Sequence, residues 1–284
     1  MNRFKYYKPK SLDEVWELKK KIPDSLFIAG GTDVLVGIRN NEIHPQALIS
    51  LRSIPGLNSI KSGKVTRIGA LATISDIIQH PKLRKNYSVL VEAAKSLGSA
   101  QIRNVATIGG NLCNCSPCAD MALPLLVLEA KVRLQTVKGQ REIPLHEFFK
   151  GPGESCLAPH EIATDILLDT PPKNAKTSFL KKGRVKLDLA VASVAVRLEM
   201  EGDKCHKARI AAGSVAPVPL RLSKVETMLE GATVTKQHLA EAQRLAEDNV
   251  VPITDIRSTE EYRRQITGVL VKRALEKALE WNQL

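Results

Sequence analysis

Apolar and polar residues alternate along the start of the chain in a pattern that predicts a helix followed by a buried strand. Ser11 and, three residues later, Glu14 form a capping-box pattern, and the apolar positions behind them suit a short amphipathic helix that ends near Pro23. Residues 26–29 then form an apolar run that is typical of a buried strand and leads into two adjacent glycines. Residues 33–38 are predicted to continue as a helix or as extended chain.

Short elements of both kinds follow as far as residue 137. In chain order they are a strand over 47–51, a turn-rich boundary over 56–63, a strand over 67–71, a helix from Thr73 that stops at Pro81, a helix over 90–97, a helical turn over 124–130 and a strand over 132–137. Short strands interspersed with short helices are typical of α+β proteins.

The pattern changes after the Gly-Pro-Gly sequence at residues 151–153. The segment 171–174, Pro-Pro-Lys-Asn, is the best linker candidate. Behind it the apolar runs 189–198 and 208–215 are typical of strands. The last third is helical, with helices predicted over 223–229 and 235–248 and a long one opened by the capping box Ser258-Thr259-Glu260-Glu261.

Together these patterns predict an α+β fold with two domains. The N-terminal domain spans residues 1–172 and has two lobes, at about 1–56 and 57–172. The C-terminal domain spans residues 173–284 and is a smaller α+β unit in which helices pack on a sheet. A length of 284 residues is ample for two such domains.

Composition narrows the classes of function. Apolar residues make up 43% of the chain and charged residues 25%, as in an ordinary globular protein. Aromatic residues reach only 4%, which argues against a platform that stacks nucleic-acid bases. The net charge is +12, but the basic residues are scattered and no basic tail is present. We therefore predict no nucleic-acid partner and interpret the charge as solvated surface, with one patch facing an acidic partner or phosphates.

The chain carries no pattern for export or membrane insertion. Its first residues lack the apolar core of a signal peptide, and no apolar stretch approaches the ~20 residues that cross a bilayer. The five cysteines are an odd number, which does not suit a secreted disulfide framework. We predict a cytoplasmic protein without a membrane span.

Two segments place adjacent glycines beside β-branched apolar runs. The first is Phe27-Ile28-Ala29-Gly30-Gly31-Thr32-Asp33-Val34 and the second is Arg103-Asn104-Val105-Ala106-Thr107-Ile108-Gly109-Gly110-Asn111. Adjacent glycines let backbone amides turn toward one point and let a ligand approach closely. Each could be an ordinary strand-end turn, but the pair suits a long, anionic, two-ended ligand such as a dinucleotide. Neither segment is a P-loop or a Gly-x-Gly-x-x-Gly fingerprint.

The second segment also offers polar side chains on a short path. Thr107, Asn111 and Ser116 supply hydroxyl and amide groups, and Asp120 supplies a carboxylate. A polyol chain, such as the ribityl chain of a flavin, needs this mixture of donors and acceptors. Asp120 has an alternative role, because it could cap the apolar helix that is predicted after it.

These motifs resemble the FAD-carrying medium subunit of molybdenum hydroxylases, a family that includes xanthine dehydrogenases, aerobic-type carbon monoxide dehydrogenase, nicotinate dehydrogenase and 4-hydroxybenzoyl-CoA reductase. The likeness covers nearly the whole chain. Besides the two glycine segments, it rests on the start Phe4-x-Tyr6-x-x-Pro9-x-Ser11-Leu12, on Gly151-Pro152-Gly153 and on Glu261-Tyr262-Arg263-Arg264. It implies a two-lobed FAD-binding domain like that of vanillyl-alcohol oxidase, followed by a smaller α+β domain.

The resemblance also implies the site residues. Backbone amides of the first segment bind the FAD pyrophosphate, and they belong to Ala29, Gly30, Gly31, Thr32, Asp33 and Val34. The residues that line the rest of the cofactor are Thr107, Gly109, Gly110, Asn111, then Ser116 and Asp120 near the ribityl chain and ring, Ile162 through its backbone, and Lys181 close to the flavin. A second lysine, Lys182, adjoins Lys181, so the motif alone leaves open which of the two lysines lies close to the flavin.

The function implied by the resemblance is electron transfer within a complex. Substrate reacts at a molybdenum cofactor on a large partner subunit, and electrons pass through two [2Fe-2S] clusters on a small partner to FAD on this chain. FAD passes them to NAD or to another acceptor such as a quinone, ferredoxin or oxygen. The expected assembly is a dimer of heterotrimers. The alternatives are a stand-alone FAD oxidoreductase of the same fold and a metal-carrying scaffold.

The metal alternative rests on Cys113-x-Cys115-x-x-Cys118, where the family has small or apolar residues. Three thiols at this spacing suit iron–sulfur or zinc, with Cys156, Cys205 or a histidine as a fourth ligand. The spacing is not a ferredoxin run, and the thiols could instead be buried and inert or form a redox-active pair beside the flavin. The six histidines are isolated and show no metal-ligand spacing. We therefore predict no metal site.

Overall fold

The computed structural model describes residues 3–281. Its strands are β1 Lys5–Tyr7, β2 Ser25–Ile28, β3 Ala47–Ser50, β4 Ile60–Lys61, β5 Val65–Gly69, β6 Lys131–Thr136, β7 Gly139–Pro144, β8 Phe149–Gly151, β9 Glu154–Ser155, β10 Ile162–Asp169, β11 Ala175–Lys182, β12 Ala192–Glu201, β13 Lys204–Gly213 and β14 Leu220–Arg221. Its α-helices are α1 Leu12–Lys21, α2 Val34–Arg39, α3 Ile74–Gln79, α4 Pro81–Asn86, α5 Ser88–Ser96, α6 Ala100–Arg103, α7 Ile108–Cys113, α8 Ala122–Val127, α9 Ser223–Leu229, α10 Lys236–Asn249 and α11 Glu260–Leu279.

The first sheet is small and parallel, with the strand order β1-β3-β2. Alternate residues of a strand point to opposite faces, so the central strand β3 buries Ile49 against α1 and Leu48 toward α2. Both faces are therefore covered, as parallel sheets require. The carboxyl end of β2 runs directly into the first glycine segment.

The second sheet has five strands in the order β4-β5-β10-β6-β7, and its pairs are antiparallel. Helices α3, α4, α5, α7 and α8 bury its inner face in the largest apolar core, around Ile68, Leu126 and Ile166. The second glycine segment lies among these helices. The first glycine segment therefore follows a strand of the first sheet, whereas the second lies among the helices that cover the second sheet.

The third sheet is an antiparallel meander, β11-β12-β13-β14, with helices on both faces. Val194 and Val196 of β12 face the core that it shares with α9, α10 and α11, whereas Ala195 between them faces α8 of the second layer. The small side chain of Ala195 lets the third sheet pack closely against α8. This packing brings β11 beside the segment that follows the second glycine pair.

The structure confirms the predicted α+β fold. The linker candidate 171–174 lies between β10 and β11, while the boundaries near residues 56 and 172 remain predictions. Strand β10, the centre of the second sheet, was missed, because polar Thr164 and Asp165 interrupt its apolar run and hide its strand pattern.

The helix predicted from Thr73 ends before Pro81, at Gln79, as expected. Pro81 then begins a new helix that was not predicted, since proline is favoured at a first helical position and the ring of His80 accepts a bond from the amide of Leu83 at 3.4 Å. Two local predictions were wrong in detail. Helix α11 is capped by Thr259 rather than Ser258. At α1, Ser11 does cap the helix, but the Glu14 carboxylate bonds the amide of Lys10 at 2.8 Å.

Candidate cofactor-binding site

A cavity of about 580 Å³ opens between the two glycine segments and the third sheet. All the residues predicted to contact the cofactor line it, although they come from four separate parts of the chain. They are Ala29, Gly30, Gly31, Thr32, Asp33, Val34, Thr107, Gly109, Gly110, Asn111, Ser116, Asp120, Ile162 and Lys181. Their individual contacts with a cofactor remain predictions.

The first glycine segment is a tight loop between β2 and α2. Gly31 has a φ of +77°, a conformation that side chains rarely adopt and that turns the chain toward the cavity. Within residues 3–281, the amide N–H groups of Gly30, Gly31 and Thr32 have no intramolecular acceptor. Three neighbouring free donors are suited to binding an anionic group.

Gly30 is required by the packing of the two glycine segments on each other. A Cβ atom built at Gly30 would lie 2.3 Å from the carbonyl oxygen of Val105. That oxygen belongs to the backbone and cannot move aside without shifting the second segment. Gly30 therefore allows the two segments to meet at one end of the cavity, and no larger residue can replace it without strain.

The second glycine segment docks by backbone bonds onto the chain that follows β5. The amide of Gly109 donates to the carbonyl of Ala70 at 2.8 Å, and the amide of Ile108 donates to that of Ala72 at 3.0 Å. The amide of Gly110 donates to the hydroxyl of Thr107 at 3.1 Å. The interpretation that both glycine pairs present free amides is therefore wrong for the second pair, whose amides are used within the protein.

The second segment instead offers side chains to the cavity. The hydroxyl of Thr107 accepts the Gly110 amide and keeps its own proton free to donate. The side-chain oxygen of Asn111 accepts the amide of Met121 at 3.3 Å, which leaves its NH₂ group available. Ser116 accepts the amide of Cys118 at 3.2 Å in the same manner. The two segments therefore offer the cavity different groups, backbone donors from the first and hydroxyl and amide side chains from the second.

Asp120 and Lys181 form a buried ion pair beside these side chains. The Lys181 Nζ atom lies 2.6 Å from Oδ2 of Asp120 and also donates to the carbonyl of Ser96 at 3.3 Å. The side chain of Asp120 is only 5% exposed and that of Lys181 only 8%. Lys182, the next residue of β11, is exposed, so the structure places Lys181 in the cavity. Helix α8 has no side-chain cap, which removes the alternative that Asp120 caps it.

The Asp120 carboxylate is incompletely satisfied. Burial raises its pKa, and the charge and hydrogen bond of Lys181 act in the opposite direction. Its second oxygen, Oδ1, is buried and has no hydrogen-bond partner in the described residues. A buried acceptor without a partner is costly and is usually satisfied by a ligand or water. Asp120 is therefore suited to accept a donor from a bound molecule.

Several lining residues were not predicted from the sequence. Leu187, Asp188 and Leu189 belong to the loop between β11 and β12, and Glu161 precedes β10. Arg141 holds Glu161, since its Nε atom lies 2.7 Å from Oε1 of the carboxylate. This pairing lowers the pKa of Glu161. The exposure of Leu187 and Leu189 is visible only in the structure, and Leu189 belongs to the apolar run 189–198 that predicts a strand, so no local signal marked them.

The cysteine cluster has no metal-binding arrangement in the described part of the chain. No group of three or more His, Cys, Asp or Glu side chains within residues 3–281 is placed to hold a metal ion. Burial, followed by the neighbouring thiols, raises the pKa of Cys113 to about 12 and that of Cys115 to about 11. These two thiols are therefore protonated at neutral pH, whereas metal ligation and redox exchange use the thiolate. Cys113 and Cys118 line the cavity, and Cys115 is buried behind it.

The donor set fits FAD. Free amides suit a pyrophosphate, hydroxyl and amide groups suit a ribityl chain, and the unpartnered Oδ1 atom of Asp120 suits a donor group on the ring or chain. No helix in the described residues is long and apolar enough to cross a membrane.

Two family models match the chain almost end to end. Residues 2–171 match the FAD binding domain in molybdopterin dehydrogenase, and residues 178–278 match the CO dehydrogenase flavoprotein C-terminal domain. The chain is 31% identical to the nicotinate dehydrogenase FAD-subunit of Eubacterium barkeri, with 96% of this chain and 95% of that one covered. It is 32% identical to the carbon monoxide dehydrogenase medium chain of Afipia carboxidovorans, with coverage of 97% and 96%.

Solved structures give the same result. The chain superimposes on a chain of carbon monoxide dehydrogenase from Hydrogenophaga pseudoflava with a TM-score of 0.96 and 31% identity, covering 98% of each chain. It also matches quinoline 2-oxidoreductase from Pseudomonas putida with a TM-score of 0.93 and 26% identity, covering 100% of this chain and 99% of that one.

Proposed function

The chain belongs to the family of FAD-binding subunits of molybdopterin dehydrogenases, and from that membership we propose that it is the electron-transfer subunit of a molybdenum hydroxylase complex. Its partners are a large subunit with the molybdenum cofactor and a small subunit with two [2Fe-2S] clusters, assembled as a dimer of heterotrimers. Its acceptor is NAD or a comparable electron carrier. The relatives support this, since they are named as FAD subunits or medium chains of multi-subunit enzymes.

The observation that carries the proposal is the cavity itself. It joins free backbone donors at Gly30, Gly31 and Thr32 to the polar side chains of the second segment and to the Asp120–Lys181 pair. Bound FAD supplies a carrier that takes up two electrons and can release them one at a time. The protein contributes binding, orientation and electrostatics.

Each glycine segment has a distinct task in this proposal. The free amides of the first loop hold the pyrophosphate without a charged side chain, and Thr107, Asn111 and Ser116 orient the polyol chain. Asp120 accepts a hydrogen bond through Oδ1, and the charge of Lys181 opposes the rise in the pKa of Asp120 that burial causes. Ile162 offers its backbone at the edge of β10. Lys181 is thereby fixed beside the ring, where a cation favours electron-rich forms of a ligand.

We also propose that the complex works in the cytoplasm. All five cysteines are free, and a reducing compartment keeps thiols in that state. The thiols that line the cavity, those of Cys113 and Cys118, would then need no protection from oxidation.

Purification of the chain from its source cells through an affinity tag tests the proposal. We expect bound FAD together with one larger and one smaller partner chain, molybdenum and iron, and reduction of the flavin when the substrate of the complex is added. FAD without iron or molybdenum would instead support the stand-alone FAD oxidoreductase. Iron bound to the isolated chain would support the metal-carrying scaffold.

A further inference from the structure

The loop between β9 and β10 forms part of the cavity wall, although its own backbone bonds are few. We name residues 156–161 the wall loop. Leu157 and Glu161 of this loop line the cavity, and so do Ile162 and Ala163, which follow it directly. Among the described residues, the one backbone–backbone bond between two positions of the wall loop joins the amide of Glu161 to the carbonyl of Ala158, at 2.9 Å. The conformation of the wall loop therefore depends on side chains.

Arg141 on β7 makes most of these side-chain contacts. Its Nε and Nη2 atoms donate to the two carboxylate oxygens of Glu161 at 2.7 and 2.8 Å. The Nη2 atom also donates to the carbonyl of Cys156 at 3.4 Å. The Glu161 carboxylate in turn accepts the amide of Ala158 at 2.9 Å. One planar guanidinium group thus connects the first and last residues of the wall loop to each other and to β7.

The carboxylate of this pair is buried, whereas the guanidinium is half-exposed. The side chain of Glu161 is 7% exposed and that of Arg141 is 49% exposed. The hydrogen bond from Arg141 lowers the pKa of Glu161, so the carboxylate is ionised at neutral pH. Within residues 3–281, the lining of the cavity includes Glu161 but not Arg141. Arg141 can therefore act on the cavity only through the wall loop.

The sheet holds the first two residues of β10 on one side only. Strand β10 pairs with β6 from Ile162 onward, but the register shifts between Ala163 and Asp165. On its other side it pairs with β5 from Asp165 onward. A register shift of this kind disrupts the ladder locally. Because Glu161 directly precedes Ile162, its pairing with Arg141 fixes the place at which this cavity-lining end of β10 begins.

We propose that Arg141 is a positioning residue for FAD, which holds the wall loop and the start of β10 through Glu161 in the conformation that the cofactor meets. A wall that is ordered before binding loses little conformational freedom when the cofactor enters. Without Arg141, the cofactor itself must order the wall loop, and its affinity falls. This inference concerns the FAD site, so it holds for any partner subunits and any electron acceptor of the proposed function.

The test measures FAD release from the purified full chain after dilution, followed by flavin fluorescence. We expect R141Q to release FAD about tenfold faster than the wild type, as loss of a hydrogen bond between charged groups does. R141K should lie between the two, because lysine keeps the charge and lacks the planar fork. The matched control is R244Q on α10, since Arg244 also pairs with a carboxylate, that of Glu241, at 2.6 Å. It should release FAD at the wild-type rate.

Two further measurements separate positioning from support of the fold. The FAD-free forms of R141Q and R244Q should melt within about two degrees of each other, because half-exposed ion pairs contribute little to stability. E161Q should also release FAD faster than the wild type. The double variant R141Q/E161Q should release it no faster than the more affected single variant, since both substitutions remove the same pair.

Three outcomes would overturn the proposal. The first is release of FAD from R141Q at the wild-type rate. The second is a melting temperature of FAD-free R141Q far below that of R244Q, which would make Arg141 a residue of the fold. The third is additive effects in R141Q/E161Q, which would mean that Arg141 acts by a route other than Glu161. A wild-type chain that holds FAD but is purified from its source cells without molybdenum and iron would refute the proposed function alone. A wild-type chain that retains no FAD would overturn this inference as well.

Discussion

The ion pair between Asp120 and Lys181 allows a sharp test of the site. The substitution Lys181→Met keeps the length of the side chain and removes its charge, so the Asp120 carboxylate stays buried without a counter-ion. Oδ1 of Asp120 already lacks a partner, and Oδ2 would lose the bond of 2.6 Å. Breaking a buried pair on one side costs about 3–5 kcal/mol of stability. For a chain of this size we expect a melting temperature lower by roughly 10 °C.

The stability that Lys181→Met loses should depend on pH in a defined direction. Burial raises the pKa of Asp120 above its unfolded value, and Lys181 opposes that rise. Without Lys181, the pKa of Asp120 in the folded chain rises further. A group with a raised folded pKa favours folding at low pH, and this stabilisation is lost as pH rises through that pKa. The deficit of the variant should therefore be largest at neutral pH and should shrink as the pH is lowered toward 5.

The assay is thermal unfolding of the FAD-free chain at several pH values, so that cofactor loss does not contribute. Lys182→Met is the matched control, because it removes the same charge from the neighbouring exposed position and should change little. The double variant D120L/K181M should recover most of the loss, since apolar replacement of a buried pair is often neutral. A deficit below about 1 kcal/mol, or one that is the same at all pH values, would refute the assignment of a buried and electrostatically coupled pair.

Three further outcomes follow from the structure. Gly30→Ala should destabilise the chain by about 1–3 kcal/mol and weaken FAD binding, because its Cβ atom would meet the carbonyl of Val105 at 2.3 Å. Gly63→Ala, which has only an ordinary neighbour at 3.6 Å, is the control in the same melting and FAD-retention assays. Cys113 and Cys115 should be alkylated at pH 8 about a hundredfold or more slowly than after unfolding, because their pKa values are about 12 and about 11; peptide mass mapping measures this, and rapid labelling of the folded chain would contradict it. Although burial raises the pKa of Asp255, hydrogen bonds from Arg257 and Arg263 hold it at about 2, below its unfolded value. Its contribution to stability should therefore be present above about pH 4 and be lost toward pH 2. Arg263→Met should reduce this acid sensitivity, and melting curves with an unchanged pH profile would exclude the pairing.

The glycine segments could be found from the sequence because their signals are local. Adjacent glycines beside β-branched runs, with hydroxyl and amide neighbours, stand within a few positions of each other. The resemblance to a family then placed distant residues, such as Ile162 and Lys181, with them. The structure brings all of these onto one cavity.

Other features depend on contacts between distant parts of the chain. Asp120 and Lys181 are 61 positions apart, and nothing in either local sequence indicates the bond between them. The backbone bonds that consume the amides of Gly109 and Ile108 come from residues 70 and 72, so the difference between the two glycine pairs was not visible. Strand β10 gains its place from partners on both sides, β5 and β6, and its own interrupted pattern did not indicate it.

The central claim is that the cavity holds FAD by two unlike glycine segments, and flavin retention tests it most directly. The purified chain is incubated with FAD or with riboflavin, desalted, and measured by visible absorption. The account predicts a two-banded flavin spectrum at about one FAD per chain, with riboflavin washed away because it lacks the pyrophosphate that the amides of Gly30, Gly31 and Thr32 bind. Equal retention of riboflavin, or no retention of FAD by the wild-type chain, would contradict it.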